Sequence, residues 1–461
     1  MSCGGPERAA TSARLGVRIL RRISMLRQLR TLAWVVVTVL VVGGCASRGA
    51  LFDRADSELQ RGQPESALQT LEPLADSSRN RSLYLLNRGM LLRMSGDLEG
   101  SIEAFEEAKR VIGRLDAISV SETLAAWGIA EDSGSYVPPT YEHLLLHAYQ
   151  ALNFLELGRL QEARVEALQI DLGLRRIDPV NGRAPHGGDA FPRYISGLIF
   201  EAGRDWSDAL IAYRKAAESY ERSGVTPPRD LQFSLLRLTD HLELSDERDQ
   251  LAAAFGIERW PSLDAESERA TLVVIVHDGQ APRLLEESLV VPQPGENRFI
   301  RVSLPYLQSR PSRLEAIRLI GDGGGVDGEP VEDVAANADR WLSALMPGLT
   351  ARAVSRNVAR NVATRRVEEE SRWFGFLFNV VGTVLENADT RSWRTLPDRI
   401  HLLREELPPG ETTLQLELLT GSDRVLQREQ RTLNLGPGET TVISVHWIEG
   451  SLIKPLANTK R

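Results

Sequence analysis

The stretch that decides the fold is LYLLNRGMLLRMSGDLEGSIEAFEEAKRV, residues 83–111. It has the apolar spacing of two amphipathic helices, with a turn signal at Gly96 between them. Small Gly89 falls where two helices would cross closely, and Phe105 and Ala108 would fill the contact. The stretch therefore predicts a helical hairpin that is apolar along one side.

The hairpin pattern recurs along the first half of the chain. Ala55, Gly62, Ala67 and Leu71 precede Gly89, Gly96, Ser101 and Phe105 by 34 residues each. Further copies fit residues 142–170 and 193–220, and residues 230–255 resemble a degenerate or capping pair of helices. A helical hairpin of this period resembles the tetratricopeptide repeat. One unit cannot bury its own apolar side, so we predict a TPR-like α-solenoid over residues 45–258.

Tetratricopeptide arrays present a concave groove that holds peptides or partner helices. The resemblance implies such a groove here. The alternative is a helical spacer without a ligand. Two interruptions, 119–140 and 178–192, break the stacking, and long loops in a solenoid often carry binding residues. The candidate partner-binding residues there are Trp127, Tyr136, Asp189 and Phe191. Packing against the convex side is the other interpretation for these four.

Composition changes near Pro261, and β-branched runs follow. The predicted strands are 270–277, 285–291, 298–304, 412–418, 424–433 and 440–447, and the Gly/Asp stretch 321–328 is predicted to be a flexible turn. The resulting fold class is α+β. We predict one β-sandwich-like domain made from residues 266–330 and 391–450, with a helical insertion at 331–390.

The insertion contains a strongly apolar stretch, WFGFLFNVVGTVL, at residues 373–385. It is too short to span a bilayer, for which about 20 residues are needed. A core helix is one interpretation. Insertion into a membrane surface, assisted by the preceding arginines, is the other.

A dense polar cluster follows, with Asp389, Arg391 and Trp393 at the junction between the insertion and the late strands. As a structural junction, Asp389 would pair with Arg391 and Trp393 would fill the seam between domains. As a recognition site, Arg391 and Trp393 would bind a partner. Both interpretations remain open at the level of sequence.

The N-terminal region predicts the location of the protein. Residues 32–42 are apolar apart from Thr38, arginines precede them, and residues 42–45 read VGGC. This is the pattern of a signal peptide over residues 1–44, with the true start at Met25. VGGC resembles the bacterial lipobox, whose cysteine is acylated, for example with palmitate. We therefore expect a lipid on Cys45, and Ala46 and Ser47 favour the periplasmic face of the outer membrane; an uncleaved membrane helix is the alternative.

Charge and cysteine content exclude several classes of function. Without residues 1–44 the chain carries 48 basic and 62 acidic side chains, a net charge of −14, which argues against nucleic acid as a partner. Cys3 and Cys45 are the only cysteines, so no thiol metal site is expected. His143 and His147 lie one helical turn apart but lack the HExxH arrangement. We predict no metal and no cofactor.

Several stretches together resemble one family of bacterial tetratricopeptide-repeat envelope lipoproteins: YVPPTYEHLLLHAYQALNFLELG, YISGLIFEAGRDWSDALIAYRKA, LVVIVHDGQAPR and ADTRSWRTLPDRI. The resemblance implies an envelope lipoprotein and brings no reaction or ligand with it. The favoured hypothesis is a non-enzymatic, lipid-anchored periplasmic adaptor whose repeat groove binds an envelope protein or peptide. A cell-wall-processing enzyme with a site near 178–192 or 389–393 is one alternative, and a structural or export component touching the membrane is another.

Overall fold

The computed structural model describes residues 49–119, 134–263, 268–292, 299–321, 324–370 and 388–453. The chain forms two compact units, 1–55 and 56–461. In the first unit residues 49–55 are helical; the other described helices and all described strands belong to the second. The predicted lipid site Cys45, the loop residue Trp127 and the apolar stretch 373–385 lie outside the described residues.

The first half of the second unit is helical, as the repeat pattern predicted. Consecutive helices form antiparallel pairs that stack on their neighbours. They are α1 (56–60), α2 (Pro64–Leu71), α3 (Arg81–Met94), α4 (Leu98–Ser119), α5 (Thr140–Glu156), α6 (Leu160–Ile177), α7 (Ala190–Ala202), α8 (Trp206–Arg222), α9 (Arg229–His241) and α10 (Ser245–Phe255).

Glycine allows the two helices of a pair to cross closely. A Cβ atom on Gly89 of α3 would overlap the Phe105 ring of α4, and one on Gly197 of α7 would overlap the Tyr213 ring of α8. Both rings are fully buried. The turn between α3 and α4 contains Gly96, whose φ of 84° favours a residue without a side chain.

The second half is rich in strands, so the α+β class is confirmed. Its elements are β1 (Ala270–Asp278), β2 (Arg283–Pro292), β3 (Phe299–Gln308), β4 (Ala316–Gly321), β5 (Gly324–Asp333), α11 (Val334–Glu370), β6 (Arg399–Leu407), β7 (Gly410–Leu419), β8 (Val425–Leu435), β9 (Thr440–Ile448) and β10 (Ser451–Ile453). Eight strands form one sheet in the order β10-β9-β1-β6-β5-β4-β7-β8. β1 runs parallel to β9 and antiparallel to β6. β2 and β3 form a separate hairpin against which α11 packs.

The sheet bends so that its two ends face each other. Val274 of β1 and Val445 of β9 line a small cavity together with Leu416 of β7 and Leu433 of β8. β1 and β9 are neighbours in the sheet, as are β7 and β8, but three strands separate the two pairs, so the pairs can meet only across the bend. Eight of the described strands form one continuous sheet, and the sandwich-like arrangement stays a prediction.

Two sequence predictions in this half are wrong in detail. The expected flexible turn at 321–328 is largely strand, because Gly324 to Gly328 belong to β5 and pair with β4. β4, β6 and β10 were not predicted as strands. β6 carries Arg404, Glu405 and Glu406 within nine residues, and such a charge density is unusual for a central strand. Among the described residues, no helix is long and apolar enough to cross a membrane.

Candidate functional site

The sheet packs against the first helices of the helical pairs. Arg404 of β6 donates hydrogen bonds to both carboxylate oxygens of Glu201 on α7, at 2.9 and 2.8 Å. Arg237 of α9 pairs with the same carboxylate at 2.9 Å. Burial alone would raise the pKa of Glu201, but Arg237 and Arg404 hold it well below its usual range. The carboxylate is therefore ionised inside the contact.

A second buried polar contact lies along β9. Arg93 of α3 forms an ion pair with Glu156 of α5 and donates to Ser444 Oγ of β9 at 2.8 Å. Ser444 Oγ also donates to Glu156 at 2.7 Å. Together with the Arg404 contact, this means that α3, α5, α7 and α9 contribute to the boundary with the sheet. The face of the solenoid lined by the first helices is thus covered by the protein's own sheet.

The junction at Glu142 collects three of the residues singled out from the sequence. Glu142 of α5 is buried and accepts hydrogen bonds from Tyr136 Oη at 2.5 Å, Tyr141 Oη at 3.3 Å and the backbone N–H of Trp393 at 3.2 Å. One carboxylate therefore holds the segment before α5 and the segment before β6 to the same helix.

Burial dominates the proton affinity of this carboxylate. It raises the pKa of Glu142 to about 7, although the hydrogen bonds from Tyr136, Trp393 and Tyr141 act in the opposite direction. Burial likewise raises the pKa of Tyr136 and of Tyr141 well above their ordinary values. The junction thus contains a carboxyl group that titrates near neutral pH between two un-ionised phenols.

Trp393 fills the seam between solenoid and sheet. Its side chain is fully buried and makes edge-to-face contacts with Phe105 of α4 and Tyr149 of α5, at ring-centroid distances of 5.9 and 6.2 Å. Its indole N–H donates to Thr395 Oγ1 at 3.0 Å. Both the indole ring and its N–H are therefore engaged within the chain.

Arg391 joins the same junction from the surface. It pairs with Asp389 at 2.5 Å, and its guanidinium lies 5.7 Å from the centre of the Tyr136 ring. It also donates to the carbonyl oxygens of Arg79 and Gly134 at 3.3 and 3.2 Å. The structure thus places Arg391 between two loops, while Asp389 remains exposed at the rim.

The two candidates of the second interruption lie in the helical interior. Asp189 is fully buried and accepts hydrogen bonds from Arg193 Nε at 2.9 Å, Ser219 Oγ at 2.6 Å and Arg222 at 3.1 Å. Phe191 has no exposed surface. The structure brings neither residue to the Glu142 junction, and neither side chain reaches the solvent.

A buried histidine pair lies where β1 and β9 meet α5. The rings of His277 and His446 stack with a centroid distance of 4.3 Å, and Tyr149 Oη lies 3.2 Å from His277 Nδ1. Burial lowers the pKa of both histidines well below the ordinary value, assisted by the nearby Arg93. Both rings are therefore neutral at physiological pH.

The paired histidines of α5 are part of the helical packing. His147 Nδ1 lies 2.7 Å from a carboxylate oxygen of Glu166, and the ring of His143 lies 5.4 Å from that of His147. Burial lowers the pKa of His143 to about 3. In the described ranges of the chain, no three His, Cys, Asp or Glu side chains are placed to hold a metal ion.

Sequence reasoning missed Glu142 as the centre of the junction, and it missed Glu201 and Arg404 as the contact between α7 and β6. Glu142 was noted only because it breaks the HExxH spacing. Arg404 carried one usable signal, since it directly follows the two apolar residues Leu402 and Leu403. A charged residue next to such a segment indicates a buried ion pair when a side chain of opposite charge lies within reach in the fold.

Comparison with known proteins identifies the class of the helical half. A tetratricopeptide-repeat family matches residues 52–114. This segment covers the first two helical hairpins, so the chain contains tetratricopeptide repeats, and a strand-rich region follows them. No curated protein matches the chain.

Several solved structures resemble part of the chain. A MamA fragment from Desulfovibrio magneticus RS-1 is 15% identical, covers 46% of this chain and 92% of its own, and superposes with a TM-score of 0.30. A tetratricopeptide repeat protein from Parabacteroides merdae ATCC 43184 is 17% identical, covers 45% and 90%, and has a TM-score of 0.16. Likeness at this level carries no argument about function.

Proposed function

We propose that this protein is a non-enzymatic scaffold of the bacterial cell envelope, which binds an envelope protein or peptide and is held by a lipid on Cys45 at the periplasmic face of the outer membrane. The observation that carries the proposal is the tetratricopeptide solenoid itself, because stacked helical hairpins are a common platform for protein partners. The ion pairs and the buried Trp393 between solenoid and sheet support a rigid platform.

The covered first-helix face changes where a partner would bind. A peptide in the expected groove would compete with Arg404 and Ser444, which are both engaged with the solenoid. The second helices leave an outward face in which Ile211 of α8 is 46% exposed. We therefore assign partner binding to the outward face.

A crosslinking experiment tests the scaffold. A photo-reactive amino acid replaces Ile211 in the full chain, and cells are irradiated intact. We expect an adduct with one envelope protein. The matched control carries the same amino acid at Tyr306 of β3, which is 40% exposed, and should not give that adduct. Absence of any adduct specific to Ile211 would overturn the proposal.

The anchor is tested separately. The sequence VGGC at 42–45 supports acylation of Cys45, and two or three acyl chains give stable membrane binding. We expect Cys45→Ser to leave the protein without lipid and to release it from the outer-membrane fraction. A Cys3→Ser variant should remain in that fraction. If Cys45→Ser stays bound, the anchor is not a lipid on this residue.

A further inference from the structure

The outward face of α6 carries an apolar stripe. Val165, Leu168 and Leu172 are 52%, 53% and 52% exposed. Their spacing of three and four residues places them on one side of the helix. Half-exposed aliphatic side chains in a row leave apolar area in water that a partner surface could remove.

The repeat fold does not require apolar residues at these positions. The buried residues Ala163, Ala167, Ile170 and Leu174 of α6 correspond to Ser101, Phe105, Ala108 and Ile112 of α4, and to Ala209, Tyr213, Ala216 and Tyr220 of α8. In that alignment the stripe corresponds to Glu103, Glu106 and Arg110 of α4, and to Ile211, Arg214 and Glu218 of α8. The neighbouring hairpins thus fold with charged residues at most of the positions where α6 has the stripe.

Polar residues along one flank of the stripe change from acidic to basic. Glu162 lies near the start of α6, Gln169 in the middle and Arg176 near the end. Seven residues are two helical turns, so the three share one side. The side chain of Glu162 is 44% exposed, and one of its carboxylate oxygens pairs with Arg159 of the preceding turn at 2.9 Å. Arg176 is also exposed, and it has no ion-pair partner in the part of the chain that the structure describes.

We propose that α6 is a dimerisation helix, which docks antiparallel onto α6 of a second copy of this chain. A two-fold axis opposite Gln169 brings the two stripes together and places Leu168 within one helical turn of Leu172 of the second copy. The same axis places Glu162 opposite Arg176 of the second copy, and the pair occurs twice. A parallel arrangement would instead bring the two Arg176 side chains together. The apolar stripe and its charged flank are thus complementary to the same surface of a second copy, as a closed two-fold interface requires.

The interface is a single helix pair and is smaller than the roughly 1,600 Å² of a standard stable interface. We expect a reversible dimer with a dissociation constant of about 1 µM or weaker. Its test is independent of the envelope partner, because both copies are the same purified chain.

Sedimentation equilibrium of the full chain in mild detergent measures the dimer. The Cys3→Ser, Cys45→Ser background removes both thiols. We expect Leu168→Arg to raise the dissociation constant by about thirtyfold or more, since it places two charges in the apolar centre. The control Val225→Arg changes an aliphatic residue after α8 that is 49% exposed and should leave the constant unchanged. A wild-type chain that stays monomeric up to about 100 µM overturns the proposal.

Charge reversal tests the orientation. Glu162→Arg and Arg176→Glu should each weaken the dimer by about threefold to tenfold, since each disrupts two exposed pairs. The double variant restores opposite charges and should return the constant close to that of the parent. Antiparallel docking through α6 is contradicted if Leu168→Arg leaves the dissociation constant unchanged. It is also contradicted if the double variant dimerises as weakly as the two single variants. Circular dichroism of each variant confirms that the fold is intact.

Discussion

Replacing Glu142 by glutamine tests whether the junction holds a protonated carboxyl group. Glutamine has nearly the same shape and can still accept a hydrogen bond from Tyr136 or from the backbone of Trp393. It cannot ionise. The variant therefore isolates the cost of keeping a charge at this buried position.

The magnitude follows from the pKa. Burial raises the pKa of Glu142 from its ordinary value of 4.5 to about 7 in the folded protein. The folded state therefore binds this proton more tightly than the unfolded state does. The stabilisation is complete below pH 4.5 and is lost as the pH rises to about 7, and it amounts to roughly 3 kcal/mol. Glu142→Gln should remove this loss of stability with rising pH, because glutamine does not titrate.

Urea denaturation at pH 5 and pH 8, followed by tryptophan fluorescence, measures the effect. The free energy of unfolding should fall between these pH values by about 2.5 kcal/mol less in Glu142→Gln than in the wild type, because pH 5 already lies slightly above the unfolded pKa. Glu332, whose pKa burial also raises to about 7, contributes equally to both proteins and cancels. Glu103→Gln on the exposed face of α4 serves as the control and should follow the wild type. Equal pH dependence of Glu142→Gln and wild type would refute the reasoning, because it would mean that the three hydrogen bonds fully offset the effect of burial on the pKa.

Two further predictions concern packing. Glu201→Gln leaves two buried arginines without their carboxylate, so the free energy of unfolding should fall by about 3–5 kcal/mol in urea titrations; a fall of less than about 1 kcal/mol would contradict the contact. Gly89→Ala inserts a methyl group into the Phe105 ring and should lower the stability by about 1–3 kcal/mol, despite the better helix propensity of alanine. Gly113→Ala, on α4 where a Cβ meets nothing within 4 Å, should raise the thermal midpoint slightly, and equal behaviour of the two variants would contradict the close crossing.

The helical half could be predicted because its information is local. The Gly89–Phe105 contact recurs with the same spacing as Gly197–Tyr213, and each contact occurs within one hairpin. The apolar runs of β1 and β9 are also local signals, and both strands were found. β6 was missed because its Arg404 is neutralised by Glu201, which lies 203 residues earlier in the chain. The sequence around Arg404 does not indicate which residue so far away in the chain neutralises its charge.

The junction was predicted in pieces. Tyr136, Arg391 and Trp393 each stood out from the sequence as aromatic or charged residues in loops. Their meeting point, Glu142, did not, because a glutamate on an amphipathic helix is ordinarily solvated. Trp393 lies 251 residues from Glu142, and only the docking of the sheet on the solenoid brings them together. The pieces of the junction were visible in the sequence, whereas their assembly depends on tertiary packing.

The contact between solenoid and sheet combines two kinds of interaction with different effects. Buried ion pairs such as Arg404–Glu201 contribute little net affinity, because both charges lose their hydration, but they penalise every other register of the sheet. Apolar burial of Trp393 against Phe105 and Tyr149 supplies the net stabilisation. A partner that entered the first-helix face would have to expose this tryptophan and leave Glu201 without Arg404. Binding on the outward face of the second helices requires neither change, which is why we assign the scaffold's partners to that side.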